Sequence, residues 1–190
     1  MNLEKSKTLQ CLVNAYAGES QARNKYLMFA KVAKKEEQEF ISNVFLETAD
    51  NELEHAKLFY KLIPNGEYLV NSTYPFFFSK NTYENLISSS KAEKEEWQTV
   101  YKDAAIIAQN EGFNEISDLF NHIIDIEKRH YHRYEMLAQE LKNSTLYKKE
   151  ELTQWICLKC GHTHIGKEPP CSCPVCKHPF GYFKLYKENI

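Results

Sequence analysis

Glu52 and His55 stand three residues apart in NELEH, and Glu127 and His130 repeat that spacing in DIEKRH. On a helix, positions three apart share a face, so each pair presents a carboxylate and an imidazole one turn apart. Both groups ligate metals, and both can move protons. The second pair follows the first by 75 residues, and an earlier glutamate, Glu19 or Glu93, precedes each pair by 33 or 34 residues. A further carboxylate, Glu96, lies one turn beyond Glu93.

Positioning these groups requires long helices, and the chain supplies four segments of helical periodicity, roughly 5–36, 38–63, 82–111 and 114–142. Pro64-Asn65-Gly66, Pro75 and Gly112 punctuate them. The second segment carries Ile41, Phe45, Thr48, Glu52, His55, Phe59 and Leu62 in alternating steps of four and three. The fourth carries Ile116, Phe120, Ile123, Glu127, His130, Tyr134 and Leu137 in the same steps. Such a seam faces a partner in a bundle. At an offset of 75, 12 of the 46 positions of 17–62 are identical, Tyr26/Tyr101 and Glu36/Glu111 among them. A duplicated helical hairpin predicts a four-helix bundle, with 64–81 as the long crossing connection.

The glutamates and histidines then fall on the core stripe. The first helix adds Leu12, Tyr16, Glu19, Tyr26, Ala30 and Ala33, and the third adds Glu93, Glu96, Val100, Ala104 and Ile107. Five carboxylates in an apolar interior repel one another and cost several kcal/mol each unless compensated. Arg23 and Arg129 are too few and lie off the stripe, so a metal is the economical counter-charge. Oxygen-rich ligation with one or two imidazoles suits iron or manganese better than structural zinc. One Glu from each of two helices with a Glu-x-x-His from each of the other two is the ferritin-like di-metal plan.

Composition bounds the alternatives. The 24 Lys and Arg are offset by 26 Asp and Glu, which argues against a nucleic-acid surface. No 18-residue apolar run occurs, and the first twenty residues lack the apolar core of a signal peptide, so neither a membrane span nor export is expected. After residue 146 the chain turns short, Cys-, Pro- and Gly-rich, which divides it into domains 1–146 and 147–190. Cys157-x-x-Cys160 and Cys173-x-x-Cys176 in an otherwise cysteine-poor chain read as a tetrathiolate metal site in a reducing, cytoplasmic setting. About 44 residues cannot hold together on apolar burial alone. Iron and zinc both accept four thiolates, so the metal stays open at this point, between an electron carrier and a structural zinc ribbon. Trp155, Phe180, Tyr182 and Phe183 are candidates to shield it. Cys171 falls outside both pairs, and Cys11 reads as an inert core thiol.

AGESQARNKY, ETADNELEHAKLF, AEKEEWQTVYKDAAIIAQNEGF and IEKRHYHRY closely resemble the four helices of rubrerythrins, and WICLKCG…CPVC resembles their rubredoxin-like domain. The resemblance covers essentially the whole chain. It implies three irons per chain, a di-iron centre and one Fe(Cys)4, with zinc as a possible substitute. It makes Glu52 and Glu127 bridging ligands, Glu19 a terminal ligand of one iron, and Glu93 with His130 the remaining ligands of the other. Glu96 and His55 would exchange on the first iron with oxidation state, while Tyr26 and Tyr101 would hydrogen-bond ligand carboxylates. It further implies a peroxidase that reduces hydrogen peroxide to water in oxidative-stress defence. Electrons would come from a reductase or rubredoxin through Cys157, Cys160, Cys173 and Cys176, in a head-to-tail homodimer. A ferritin-like iron oxidase or store is the competing expectation, but it does not account for Glu96 or the cysteine tail.

Overall fold

The first helix of each hairpin starts on a side-chain acceptor for its free N–H groups. Ser6 Oγ accepts from Leu9 N (3.1 Å) at the head of α1 (Lys7–Lys35). Asn81 Oδ1 accepts from Glu84 N (3.0 Å) at the head of α3 (Thr82–Glu95). α1 turns into α2 (Glu39–Leu62) through Glu37 at φ 59°, and α4 (Tyr101–Asn110) turns into α5 (Asn114–Lys142) through Gly112 at φ 81°. Gln38 N closes the first turn on Ala33 O and Phe113 N closes the second on Ala108 O, both at 2.9 Å. The two turns are copies 75 residues apart, one using glycine for the left-handed residue and the other a glutamate.

The structure, a computed structural model, describes residues 2–186. Its first part is a four-helix bundle in which α1 pairs with α2, and α3 and α4 with α5. The third helix departs from the sequence expectation. It is interrupted between α3 and α4 by a π-turn over Glu96–Val100. A π-turn absorbs one extra residue, and the duplication shows where. Upstream, equivalent buried residues lie 74 apart, as in Thr8/Thr82, Leu12/Leu86 and Glu19/Glu93; downstream they lie 75 apart, as in Tyr26/Tyr101 and Ala30/Ala105. Val100, in this turn, is 45% exposed, and Tyr16 and Leu62 also reach the surface, so these three leave the predicted core stripes.

Two hydrogen-bond pairs show the internal two-fold. Ser42 Oγ donates to Ala30 O (3.0 Å) and Ser117 Oγ to Ala105 O (2.9 Å). Thr8 N donates to Glu111 (2.8 Å) and Thr82 N to Glu36 (3.0 Å), so the end of each hairpin's first helix caps the start of the other's. Apolar packing follows the same symmetry. Tyr26, Phe45 and Tyr134 form one aromatic triad with ring centroids 5.2–6.1 Å apart; Tyr101, Phe120 and Phe59 form the other at 5.0–5.9 Å. The triads belong to two separate apolar clusters.

The small domain is a three-stranded antiparallel sheet of β1 (Thr153–Cys157), β2 (Thr163–Gly166) and β3 (Phe183–Leu185), in the order β2-β1-β3. Trp155, Cys157, Cys173 and Phe183 form its interior and half-buried Tyr182 packs against them, while Phe180 is exposed, so three of the four aromatics enclose the cysteines. Leu146 packs into the bundle core, and Tyr147 touches the cores of both parts. The domain rests on the α1–α2 turn, where Tyr147 Oη donates to Gln38 Oε1 (3.0 Å). Gly181 approaches so closely that a Cβ there would lie 1.8 Å from Glu37 O. No described helix is long and apolar enough to cross a membrane.

Candidate metal centres

The seam spacing turns Glu52 and His55 of α2, and Glu127 and His130 of α5, into the bundle, where all four are buried. Glu19 of α1 and Glu93 of α3 meet them, each wholly buried. Two tetrads result, Glu19, Glu52, His55, Glu127 and Glu52, Glu93, Glu127, His130, each with its ligand atoms within 4.8 Å of one another. Glu52 and Glu127 belong to both. Two carboxylates shared by adjacent four-donor sites is the arrangement of a bridged pair of ions.

The donor set is unsatisfied by protein alone. Glu19 Oε2, both Glu52 oxygens, Glu93 Oε2, Glu127 Oε1 and His55 Nδ1 are buried without a hydrogen-bond partner. His55 Nδ1 stands 2.9 Å from both Glu52 and Glu127, and His130 Nδ1 stands 2.7 Å from Glu127. A neutral imidazole nitrogen without its proton repels a carboxylate oxygen at that range, so a cation belongs between them. In its absence protons must serve. Burial opposes charge on His130, but Glu127, Glu52 and Glu93 push it up to about 12. Burial, then the Glu52 charge, raises Glu93 to about 8 and drives Glu19 well above the usual carboxylate range. Glu127 resists burial because both histidines hold it down to about 2. Protons and metal compete for this centre.

Tyr26 Oη donates to Glu93, and Tyr101 Oη donates to Glu19 (2.6 Å), a reciprocal pair that orients one carboxylate in each tetrad. Glu96 is different. It heads the π-turn, is half-buried, and lies outside both tetrads, yet burial and the charges of Glu93, Glu19 and Glu127 raise it well above its usual range. Its counterpart by the 74-residue offset is Ala22, so the two-fold is broken at this residue.

Sequence reasoning missed two groups. Asn51 Oδ1 accepts from His130 Nε2 (3.1 Å), fixing that ring; among the described residues no side chain does the same for His55. Lys25 is a buried cation over the Tyr26 ring (4.8 Å), and its charge eases ionisation of Glu96. Neither falls on a stripe of the duplicated pattern. The step in offset from 74 to 75 was the available signal for the π-turn.

In the small domain, Cys157, Cys160, Cys173 and Cys176 bring their sulfurs within 4.8 Å, with Cys157–Cys176 at 3.7 Å and Cys160–Cys173 at 3.6 Å. A tetrahedron with metal–sulfur bonds of about 2.3 Å has edges of about 3.8 Å. Burial opposes ionisation of Cys173, yet the N–H groups of Cys176 and Val175 and the neighbouring thiols hold it down to about 6. Cys171 is exposed and outside the cluster.

The fold and these two sites define a ferritin-like bundle with a paired carboxylate–histidine metal centre and a rubredoxin-like appendage. Residues 10–138 match the family model Rubrerythrin, and 155–184 match the model Rubrerythrin, rubredoxin-like domain. The chain is 40% identical to Rubrerythrin-1 of Clostridium acetobutylicum (99% of this chain, 98% of that one) and 39% identical to Rubrerythrin of Porphyromonas gingivalis (99% and 94%). Fully reduced, all-ferrous nigerythrin superposes with a TM-score of 0.63 at 31% identity (96% and 90%). The chain belongs to the rubrerythrin family.

Proposed function

We propose that this chain is a non-haem di-iron peroxidase that reduces hydrogen peroxide to water, HOOH + 2 e⁻ + 2 H⁺ → 2 H2O, in defence against oxidative stress. The observation that carries the reading is the pair of tetrads sharing Glu52 and Glu127 around orphaned buried oxygens. Glu19, Glu52, His55, Glu93, Glu127 and His130 would hold the two irons, with Glu96 as the exchanging seventh ligand; Cys157, Cys160, Cys173 and Cys176 would hold the third. Bound iron supplies the two electrons that cleave the O–O bond.

The protein's own groups do the rest. His130, tied to Asn51, stays in place, whereas His55 has no such tether among the described residues and would be the imidazole that exchanges with Glu96. When off the metal, His55 can carry a proton towards the departing oxygen. Tyr26 and Tyr101 hold Glu93 and Glu19 in orientation throughout. The aromatic clusters either side keep bulk water from the centre.

We place the division between the di-iron and electron-relay units at 146/147. The relay unit rests near Gln38, and Glu52 lies 52 − 38 = 14 residues further along α2, about 21 Å at 1.5 Å per residue. That span favours delivery from the four-cysteine centre of a second copy in a head-to-tail homodimer, charged in the cytoplasm by a reductase or rubredoxin. Anaerobically reduced protein should be reoxidised rapidly by one equivalent of peroxide per di-iron site. Slow reoxidation by peroxide with fast reoxidation by dioxygen would replace the peroxidase with an oxidase.

A further inference from the structure

The segment Leu69–Pro75 has no regular structure, yet five hydrogen bonds tie it to three positions along α1. Gln10 Nε2 donates to Leu69 O (2.9 Å). Asn14 donates to Asn71 O and accepts from Asn71 N, both at 2.9 Å. Tyr74 Oη donates to Asn14 O (2.8 Å), and Gln21 Nε2 donates to Pro75 O (3.3 Å). Gln10, Asn14 and Gln21 follow at steps of four and seven, one face of the helix. The segment is a strap.

Beneath it, between α1 and the π-turn, is a cavity of about 250 Å³, far above the roughly 10–15 Å³ that one water needs. Its wall includes Cys11, Gly18, Tyr74, Glu96 and Tyr101. Glu96 is the candidate ligand outside both tetrads, and Tyr101 holds Glu19 of the first tetrad. Four other cavities among the described residues include none of the seven candidate ligands in their walls.

Gly18 forms the floor. A glycine inside a helix costs about 0.5–1 kcal/mol against alanine, and Gly18 lies inside α1 with no left-handed backbone to require it. A Cβ there would meet the Tyr74 ring at 3.4 Å, ordinary contact, so alanine fits but takes up cavity space. The Tyr74 hydroxyl is raised by burial and by the Glu96 charge, against a lowering bond to Ser72, which keeps it a neutral donor. Cys11 is likewise raised, by burial and then by Glu111 and Asp103, so its thiol stays protonated and a poor target for oxidation.

We propose that this cavity is the entrance and docking site for the oxidant, a small hydroperoxide, with Tyr74 as its gate and Gly18 as its floor. The choice of oxidant rests on the peroxidase reading; the existence of the entrance does not. Glu96, withdrawn from the tetrads, lines the passage between the cavity and the metal centre. Tyr74 limits the width and so selects HOOH over hydroperoxides with bulky alkyl groups.

The test uses iron-loaded full-length protein and the small neutral reagent methyl methanethiosulfonate, with Cys11 modification followed by peptide mass mapping. Tyr74→Ala should speed Cys11 modification several-fold, Tyr74→Phe should speed it less, and Gly18→Ala should slow it. Iron content and melting temperature check that each variant is folded. In turnover, Tyr74→Ala should raise the kcat/KM of cumene hydroperoxide relative to that of HOOH. Unchanged Cys11 reactivity in both Tyr74→Ala and Gly18→Ala overturns the entrance, and an unchanged hydroperoxide ratio overturns the gate. If Cys11 responds while wild-type protein fails to react with peroxide, the entrance stands and the peroxidase falls.

Discussion

Glu96 carries the asymmetry of the centre. Six of the seven candidate ligands come in pairs related by the duplication, and each pair divides between the tetrads or bridges them; Glu96 faces an alanine, Ala22, across the two-fold. A group outside both tetrads is not needed to hold metal in them. Glu96→Ala should therefore retain two irons per bundle by metal analysis while slowing peroxide turnover by more than tenfold, the scale of a lost proton or charge contribution. Turnover at the wild-type rate would remove Glu96 from the chemistry. Asn51 makes the complementary distinction, by tying down one histidine and leaving its twin untied.

At the level of elements, the decisive feature is one residue too many in the third helix. Glu19 and Tyr26 are 26 − 19 = 7 apart, whereas Glu93 and Tyr101 are 101 − 93 = 8 apart. The π-turn absorbs the difference, so that both tyrosines still reach the opposite carboxylate. Deleting exposed Gln98 should restore a regular helix with the bundle and its tetrads intact. Glu96 would then be forced into the packed position that Ala22 has in α1. We expect helical content and iron content near wild type, by circular dichroism and metal analysis, with peroxide turnover largely lost. Wild-type turnover in the deletion would make the π-turn a neutral insertion.

For the whole molecule, the buried centre makes stability depend on pH in a direction set by its shifts. Glu93 is raised to about 8 from 4.5, with Glu19 and Glu96 raised too. The folded chain therefore keeps protons that the unfolded chain releases. Their stabilisation is full below about pH 4.5 and is lost as pH rises through 8. His130, raised to about 12, loses its contribution upward from 6.5, in the same direction. Within the bundle's centre Glu127, held at about 2, acts oppositely, and only below 4.5; in the small domain Cys173, held at about 6, acts oppositely above that pH, so the bundle's own melting is the quantity to follow. Metal-stripped protein should melt lower at pH 8 than at pH 5.5, whereas iron-loaded protein should not. A loss of about 2 kcal/mol would lower Tm by about 4–8 °C at this size. A metal-stripped Tm that rises over that interval would contradict the charge balance described here. The contact between the two parts can be tested separately. Gly181→Ala places a methyl group against the Glu37 carbonyl, and should detach the small domain, seen as faster proteolysis between 143 and 152, without lowering bundle iron content. An unaltered cleavage rate would show that the turn can yield.

The four helices, the six paired side chains of the two tetrads and the two Cys-x-x-Cys loops were legible because each is a local pattern. A seam in steps of three and four fixes which side chains share a face, and a 75-residue repeat shows that the face occurs twice. Even the π-turn left a trace, in the step from 74 to 75. The strap along α1, the Asn51 tether, buried Lys25 and the Gly181 contact left none. Each depends on residues far apart in the chain meeting at a distance of a few ångströms, and no periodicity encodes that. Local spacing chose the chemistry of the centre; tertiary packing decided which carboxylate stands apart from it, which histidine is held, and where a small molecule can reach them.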